Sequence, residues 1–362
     1  MRVAYYHEWS DGPRSGVFKK IAAQVRRWVE SGLDVAVFNL SARDTADEWR
    51  RACGAAVRVE QVVWHSRVER LLRMPRLVDR MLDWSPDLVY RRYGPWYPAF
   101  DTVSRKSRLV LEVNTDDLAE ARLHARHRYW YKCATRGLLL KRAAGIVFVS
   151  HEVSRKAHFA GFRGQRRVIA NGVDLDTIRP LPAPQNDSPR LVFVGSAGKP
   201  FHGTDKILQL ARAFPGWRFD LVGPGPDEMD APLPDNVIAH GPMLQRDYAS
   251  IMASADVAIA SLALHRVQIH ENSPLKMSEY LAWGIPVIAG YKDTNFMEKV
   301  DFILELPCSE DNVTNHVDDI RRFVAASSGR RVPREAIRHV GSDQKERERI
   351  EFFEQLCRGA GR

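Results

Sequence analysis

Two carboxylates and one amine stand close together in the stretch HENSPLKMSEYLAWGIPVIAG, from His270 to Gly290: Glu271, Lys276 and Glu279. Ser273 has the side chain of a helix N-cap, Pro274 suits the first helical position, and Gly284 followed by Pro286 suits a helix end. The spacing therefore predicts a helix from Pro274 to Trp283. Lys276 then falls in the first turn, where its cation opposes the positive end of the helix dipole. An anion bound there would reverse that penalty. Unpaired amides plus a lysine at a helix start suit a phosphate, and carboxylates on either side suit sugar or ribose hydroxyls. The plainer reading is a surface pair of Lys276 with Glu279 and a solvated Glu271; spacing alone leaves both open.

The chain that must position these groups has 362 residues, 44% apolar and 27% charged, an ordinary globular mixture long enough for two domains. Its four cysteines, Cys53, Cys133, Cys308 and Cys357, form no C-x-x-C pair, which speaks against a zinc site or a disulfide framework and suits a reducing cytoplasm. No run approaches the ~18 apolar residues of a membrane span, and the first residues lack the pattern of a signal peptide. A cytoplasmic protein is expected. The net charge of +9 is unevenly divided: residues 1–180 hold 33 Lys+Arg against 20 Asp+Glu, residues 181–362 hold 21 against 25. The basic first half calls for an anionic partner (nucleic acid, membrane surface or phosphorylated substrate), or else presents a solvated Arg-rich surface. No zinc finger, helix-turn-helix or RNP-like motif is visible, so nucleic acid is not expected.

Short apolar runs alternate with helical patterns. RVAYYH, DVAVFNL, DLVYRR, LVLEVN, GIVFVS and RVIANGVD occupy the first half; Val17, Ile21, Val25 and Trp28 recur at helical spacing after the first of them, and Gly32 closes that helix. The four-proline stretch TIRPLPAPQNDSPR reads as an interdomain linker. LVFVGSAG, RFDLVGPGP, NVIAHGPM, ADVAIASL and IPVIAG follow. The expected fold is α/β: two doubly wound, Rossmann-like domains of parallel strands with a cleft between them, and ligands at the C-terminal strand ends.

Glu271 and Glu279, separated by seven residues and followed by YLAWGIPVIAG, resemble the E-x7-E signature of retaining nucleotide-sugar glycosyltransferases of the GT-B fold, in the GT4 family. GIVFVSHEVSRKAHFAGF with RRVIANGVDLDTIRP resembles the passage that ends the family's first domain. LVFVGSAGKPFHGTDKILQLA, FDLVGPGP, IAHGPM and YASIMASADVAIASL resemble the landmarks of its nucleotide-binding domain. The likeness is strong over residues 145–290 and weaker over 1–144. It implies an acceptor-binding domain over 1–178, a donor-binding domain over 179–341, and a final helix, 342–362, that returns to the first domain through Ile350, Phe353 and Leu356.

Carried over by position, Glu271 approaches the donor sugar hydroxyls and Glu279 the ribose; the amides near Ser273 and Leu275, on either side of Pro274, face sugar and phosphate, with Lys276 beside them. Gly16, in a turn that lacks the family's other glycine, approaches the diphosphate or only shapes the turn. Gly195, Gly223 and Met243 line the donor site, and residues around Gly223 to Pro226 and Gly241 to Met243 bear on the choice of base. Two positions depart from the family. Ser196 and His202 stand where relatives carry the arginine and lysine that hold the diphosphate, so the charge falls to Lys199 or Lys206, or His202 donates a hydrogen bond instead. Asn114 stands where some members have an active-site histidine; it can orient a hydroxyl but cannot be a general base.

The implied reaction is retaining transfer of a hexose-type sugar from a UDP- or GDP-linked donor to a glycan or lipid-linked acceptor, without metal or cofactor, the nucleotide sugar being a substrate. Asp174 and Asp176 have D-x-D spacing, but the family passage that contains them is no metal site. The departures at Ser196, His202 and Asn114 also admit a non-catalytic nucleotide-sugar or carbohydrate-binding protein. Basic residues alternate with aromatics and leucines in Trp64–Trp84 and Ala121–Arg142, as in helices that lie on anionic lipid, or in helices with one solvated basic face. A peripheral place on the inner face of the cell membrane is expected on the first of these readings.

Overall fold

The computed structural model describes residues 1–13, 15–124, 126–229 and 232–358. They form two compact units, Met1–Ala170 with Ser342–Arg362, and Asn171–Gly341.

The first unit is built on seven parallel strands: β1 (Arg2–His7), β2 (Asp34–Ser41), β3 (Arg58–Val63), β4 (Leu88–Arg92), β5 (Arg108–Val113), β6 (Gly145–Phe148) and β7 (Gln165–Val168). Their order, β3-β2-β1-β4-β5-β6-β7, reverses direction between β1 and β4, the switch point of a doubly wound sheet. The expected strands are present within a residue or two, except that the last is shorter and earlier. The sequence reading missed β3, an edge strand with only Val59 buried, because an edge strand lacks the all-apolar run of a central one.

The helices between these strands are α1 (Gly16–Glu30), α2 (Ala46–Cys53), α3 (Arg67–Asp83), α4 (Ala99–Lys106), α5 (Asp117–His124), α6 (Arg126–Arg142) and α7 (His151–Arg155). α1 is closed just past its end by Gly32, whose φ of +85° and amide bond to Val29 O reverse the chain. Phe18, Ile21, Val25 and Trp28 of α1 share one core with Trp49 of α2. Met74 and Leu77 of α3, Phe100 and Val103 of α4, and Leu139 and Leu140 of α6 share another, so these three helices line one face of the sheet. Asp116 accepts bonds from the Leu118 and Ala119 amides at the start of α5. The neighbouring Asp117 pairs with Arg136 and Lys132.

Asn171–Gly341 holds a second parallel sheet, β10-β9-β8-β11-β13-β15, made of β8 (Arg190–Val194), β9 (Arg218–Val222), β10 (Val237–Gly241), β11 (Val257–Ile259), β13 (Val287–Ala289) and β15 (Ile303–Glu305). β12 (Glu271–Asn272) pairs with β14 (Lys292–Asp293) beside it. The helices are α8 (Thr204–Ala213), α9 (Ala249–Ser254), α10 (Leu275–Ala282) and α11 (Val317–Ser327). Here the switch falls between β8 and β11.

The proline-rich stretch is not a free linker. The Leu181 amide donates to Trp283 O, Asn186 Nδ2 to Asp256 and Ser254 O, and the Arg331 guanidinium to Pro182 O, so it runs along this unit as packed chain. Prolines that forbid helix also hold an extended segment ready for such docking. Residues 171–178 belong here too, eight residues earlier than the sequence boundary, because Asn171 is bonded to Ser273 and Val173 bridges Gly341.

The last helix, α12 (Ser342–Arg358), is part of the first unit. Phe352, Phe353 and Leu356 are buried in the α1 core, and Ile350 packs at its edge. A Cβ on Gly145 would lie 2.7 Å from Leu356, which explains the glycine opening β6. Glu346 accepts from Trp28 Nε1 at 2.7 Å, and Arg349 donates to Tyr90 Oη at 3.0 Å. No described helix is long and apolar enough to cross a membrane.

His7, at the end of β1, is 1% exposed and packs on Trp49; neither ring nitrogen has a partner. Burial, helped by the nearby Arg92 charge, lowers its pKa to about 3, so it folds neutral. Between pH 6.5 and 3 the unfolded chain takes up a proton that the folded one refuses, and stability falls as pH falls through that window. Urea unfolding should therefore show the wild type losing about 2 kcal/mol more than His7→Leu between pH 7 and pH 5. Equal losses would mean that the ring finds a proton acceptor.

Candidate active site

The helix α10 begins one residue later than the sequence spacing suggests. Pro274, with φ −69° and ψ 140°, is the N-cap, Leu275 is the first helical residue, and the helix ends at Ala282 with Trp283 as C-cap. Ser273 does not cap it. Its hydroxyl accepts from the Asn171 amide at 3.1 Å and from Asn295 Nδ2 at 3.2 Å, and its own amide donates to Asn272 Oδ1. A serine tied to three asparagines anchors the turn before the helix. Leu275 and Lys276 then open the first turn, where amides have no acceptor inside the helix. Tyr280, in the second turn, ties the helix to the sheet, its hydroxyl accepting from the Val194 amide at 2.8 Å at the end of β8.

Lys276 points inward. Its ammonium lies 4.5 Å from the centre of the Phe193 ring and 3.3 Å from His202 Nδ1. Desolvation lowers its pKa to about 7, against the opposing pull of Glu279. His202 is buried, its pKa lowered to about 3 by burial and then by the charges of Lys276 and Lys199, so the ring is neutral. Ser261, just past β11, places its hydroxyl 3.1 Å from the same Nδ1. An ammonium can only donate, so while Lys276 is charged Nδ1 is the acceptor and the ring proton sits on Nε2. That nitrogen faces the end of β8: a Cβ on Gly195 would stand 3.0 Å from it.

The strand ends nearby are closely drawn together. Gly195 donates to Val222 O and Gly223 to Gly241 O, and Gly223 adopts φ +113° with a Cβ position only 1.7 Å from Gly195 O. No other residue fits there, so the glycine lets the two strand ends approach this closely. Met243 packs partly buried against the core that holds Tyr280. Lys199 stands exposed ahead of the short turn Pro200–His202.

Glu271 is buried on β12 and accepts from Thr294 Oγ1 at 3.1 Å. Glu279 is partly buried on α10, and its charge acts on both the Lys276 ammonium and the Tyr248 phenol. Lys206 cannot serve as a phosphate clamp. It is 1% exposed, and its ammonium donates to Ser309 O, Glu310 O and Asn312 Oδ1 at 2.6–2.9 Å, its full complement of three.

Two of the sequence-selected residues lie in the other unit. Gly16 is the first residue of α1. Asn114 follows β5, with Oδ1 accepting from Lys20 Nζ at 2.6 Å and Nδ2 donating to Glu112 Oε2 at 3.0 Å. Lys20, Arg92 and Arg349 surround that carboxylate and hold its pKa far down against burial. Lys20 is in turn lowered to about 8, chiefly by desolvation.

Phe193, Ser261 and Tyr280 were not found by sequence reasoning. Phe193 and Ser261 lie 83 and 15 residues from Lys276 and carry no local signal. Tyr280 adjoins Glu279, but nothing in the local sequence shows that its phenol reaches the end of β8.

This chain matches known proteins along nearly all its length. The profile described as Glycosyltransferase Family 4 matches residues 14–177, and that described as Glycosyl transferases group 1 matches residues 188–301. A glycosyltransferase from Rickettsia africae shares 14% identity over 99% of this chain and 100% of its own, with a TM-score of 0.70. Sucrose-phosphate synthase from Thermosynechococcus elongatus shares 16% over 99% and 97%, with a TM-score of 0.66. Anabaena HepE, solved with UDP and glucose, shares 15% over 97% and 99%, with a TM-score of 0.62. No curated protein matches. The protein belongs to the GT4-type glycosyltransferases and has the GT-B fold.

Lys206, which is buried, and Lys276, which is partly buried, should respond in opposite directions. Lys206→Met strands three acceptors and should lower stability by ~2–4 kcal/mol in thermal or urea unfolding. Lys276→Met removes an ammonium that the fold disfavours, so it should stabilise the protein at pH 7. That gain should shrink as pH rises towards 10.5, where the unfolded lysine also becomes neutral. A gain that does not depend on pH would show that Lys276 keeps its charge without cost.

Proposed function

We propose that the protein is a retaining, metal-independent hexosyltransferase that moves a sugar from a UDP- or GDP-linked donor to a glycan or lipid-linked acceptor in polysaccharide or cell-envelope glycan synthesis. The observation that carries the reading is the start of α10 beside Lys276 and His202, at the switch point of the second sheet. Its amides, one ammonium and one Nε2–H would meet the diphosphate. Charge develops on the diphosphate as the glycosidic bond breaks, and these fixed donors stabilise it without having to reorganise. Glu271 would hold the sugar hydroxyls and Glu279 the ribose diol. The UDP and glucose bound to HepE, a protein of the same fold, support this choice of ligand class.

Lys276 links donor binding to pH. An anion beside it favours the charged form, so binding above pH 7 takes up a proton and weakens as pH rises. His202 replaces a charge with a directed hydrogen bond, and Lys199 is the mobile cation left to close on the outer phosphate. The acceptor is assigned to the first unit, near Asn114. With both ends of that amide engaged, the leaving phosphate is the natural acceptor for the proton of the attacking hydroxyl. We place the reaction in the cytoplasm, at an anionic membrane surface. A second reading, a non-catalytic nucleotide-sugar binder, is favoured by the neutral His202 in place of a lysine.

A thermal-shift screen of UDP, GDP and ADP sugars should raise the melting temperature by a few degrees with one base only. Turnover of that donor should persist in EDTA and leave the product anomer unchanged by NMR. Glu271→Ala and Glu279→Ala should each lower kcat/KM by about a hundredfold or more, ~2.7 kcal/mol. Binding without turnover across a broad acceptor panel would establish the second reading instead.

A further inference from the structure

Eight large apolar side chains are exposed among the described residues, and six lie on two helices: Val68, Leu71 and Leu72 on α3, and Trp130, Tyr131 and Leu138 on α6. Leu72 is 71% exposed and Trp130 65%. They are not misplaced core positions. Both helices bury other residues, Met74, Leu77, Val78 and Met81 on α3, and Leu139 and Leu140 on α6.

The two clusters are neighbours. α3 ends at Asp83 just before β4, and α6 at Arg142 just before β6, so the opening turns of both helices lie at the C-terminal edge of the sheet. The Trp96-Tyr97 pair between β4 and α4 touches each. Arg70 Nη2 donates to Tyr97 Oη at 2.7 Å, and Tyr131 Oη donates to Trp96 O at 2.6 Å. Exposed arginines frame the patch, Arg67 and Arg76 on one side and Arg126 and Arg128 on the other. α6 carries six Lys or Arg and no acidic residue.

We infer that this face of the first unit docks on an anionic phospholipid bilayer, with Leu71, Leu72 and Trp130 entering the interfacial layer and the four arginines meeting lipid phosphates. Apolar bodies inserted beneath a basic rim, with tryptophan at the water boundary, are what such a surface rewards. A second copy fits worse, since a two-fold contact would set this patch, with exposed arginines on both helices, against an identical arginine-framed patch. A nucleic acid would use the arginines and leave the aliphatic side chains without a partner. The inference deepens the membrane reading above and rests on the transferase assignment in one respect only: docking by these turns would bring a lipid-linked acceptor to the C-terminal edge of this sheet.

The test is flotation of the full chain with vesicles of phosphatidylcholine, alone or mixed with phosphatidylglycerol. The protein should float with the mixed vesicles, less so as salt rises. Leu71→Glu with Leu72→Glu, and separately Trp130→Ser, should weaken flotation about tenfold or more. Arg126→Ala with Arg128→Ala should reduce both binding and its salt dependence. Binding of the nucleoside diphosphate checks that the variants are folded. Variants that float like the wild type, flotation on neutral lipid alone, or no flotation at all would overturn the proposal. So would self-association, or tight oligonucleotide binding without flotation, if the Leu71/Leu72 variant abolished it. If the wild type floats but binds no nucleotide sugar, the transferase reading fails and the docking surface stands.

Discussion

The second unit is organised around an ammonium held where neither water nor the helix dipole favours it. Lys276 sits in the first turn of α10, over the face of Phe193 and against a histidine that stays neutral beside it. Such a group persists only if its surroundings are fixed by other forces. Tyr280 ties α10 to β8, Ser273 ties the preceding turn to Asn171 and Asn295, and Met277, Leu281 and Ala282 bury the opposite side of the helix. The unfavourable placement is what makes the site responsive, because an arriving anion supplies the interaction that the fold withholds.

The first unit solves a related problem with the opposite sign. Glu112 is buried in a sheet strand and is kept ionised by Lys20, Arg92 and Arg349, which come from α1, β4 and α12. Removing one member of such a cluster leaves the others buried and uncompensated, so the chain's last helix is bound into the electrostatics of its first unit as well as its core. Asn114 draws its orientation from the same cluster. His7 stays neutral chiefly because it is buried without a partner, and the Arg92 charge from this cluster adds to that effect.

Both sheets could be read from the chain because central parallel strands are continuous apolar runs, and glycine and proline mark their ends. RVAYYH and DVAVFNL became β1 and β2 almost residue for residue, while LVFVGSAG contributed only its first four residues to β8. Edge elements such as β3, β12 and β15 escaped, since a half-exposed strand leaves no comparable run. The proline-rich stretch misled for a related reason: composition shows that it cannot be helical, while whether it floats or packs depends on Trp283 and Asp256, far away in sequence.

The local pattern of residues 270–290 therefore determined by itself that a helix begins near Pro274, that a lysine occupies its first turn and that two carboxylates bracket it. Backbone preferences and side-chain chemistry act over a few residues, and those are visible in a string. Which way Lys276 points, that Ser273 anchors rather than caps, and that Lys206 is fully engaged while His202 is the ring facing β8, were decided only by tertiary structure. Each depends on partners brought close by the winding of a sheet, and desolvation and hydrogen-bond saturation are properties of that packed neighbourhood.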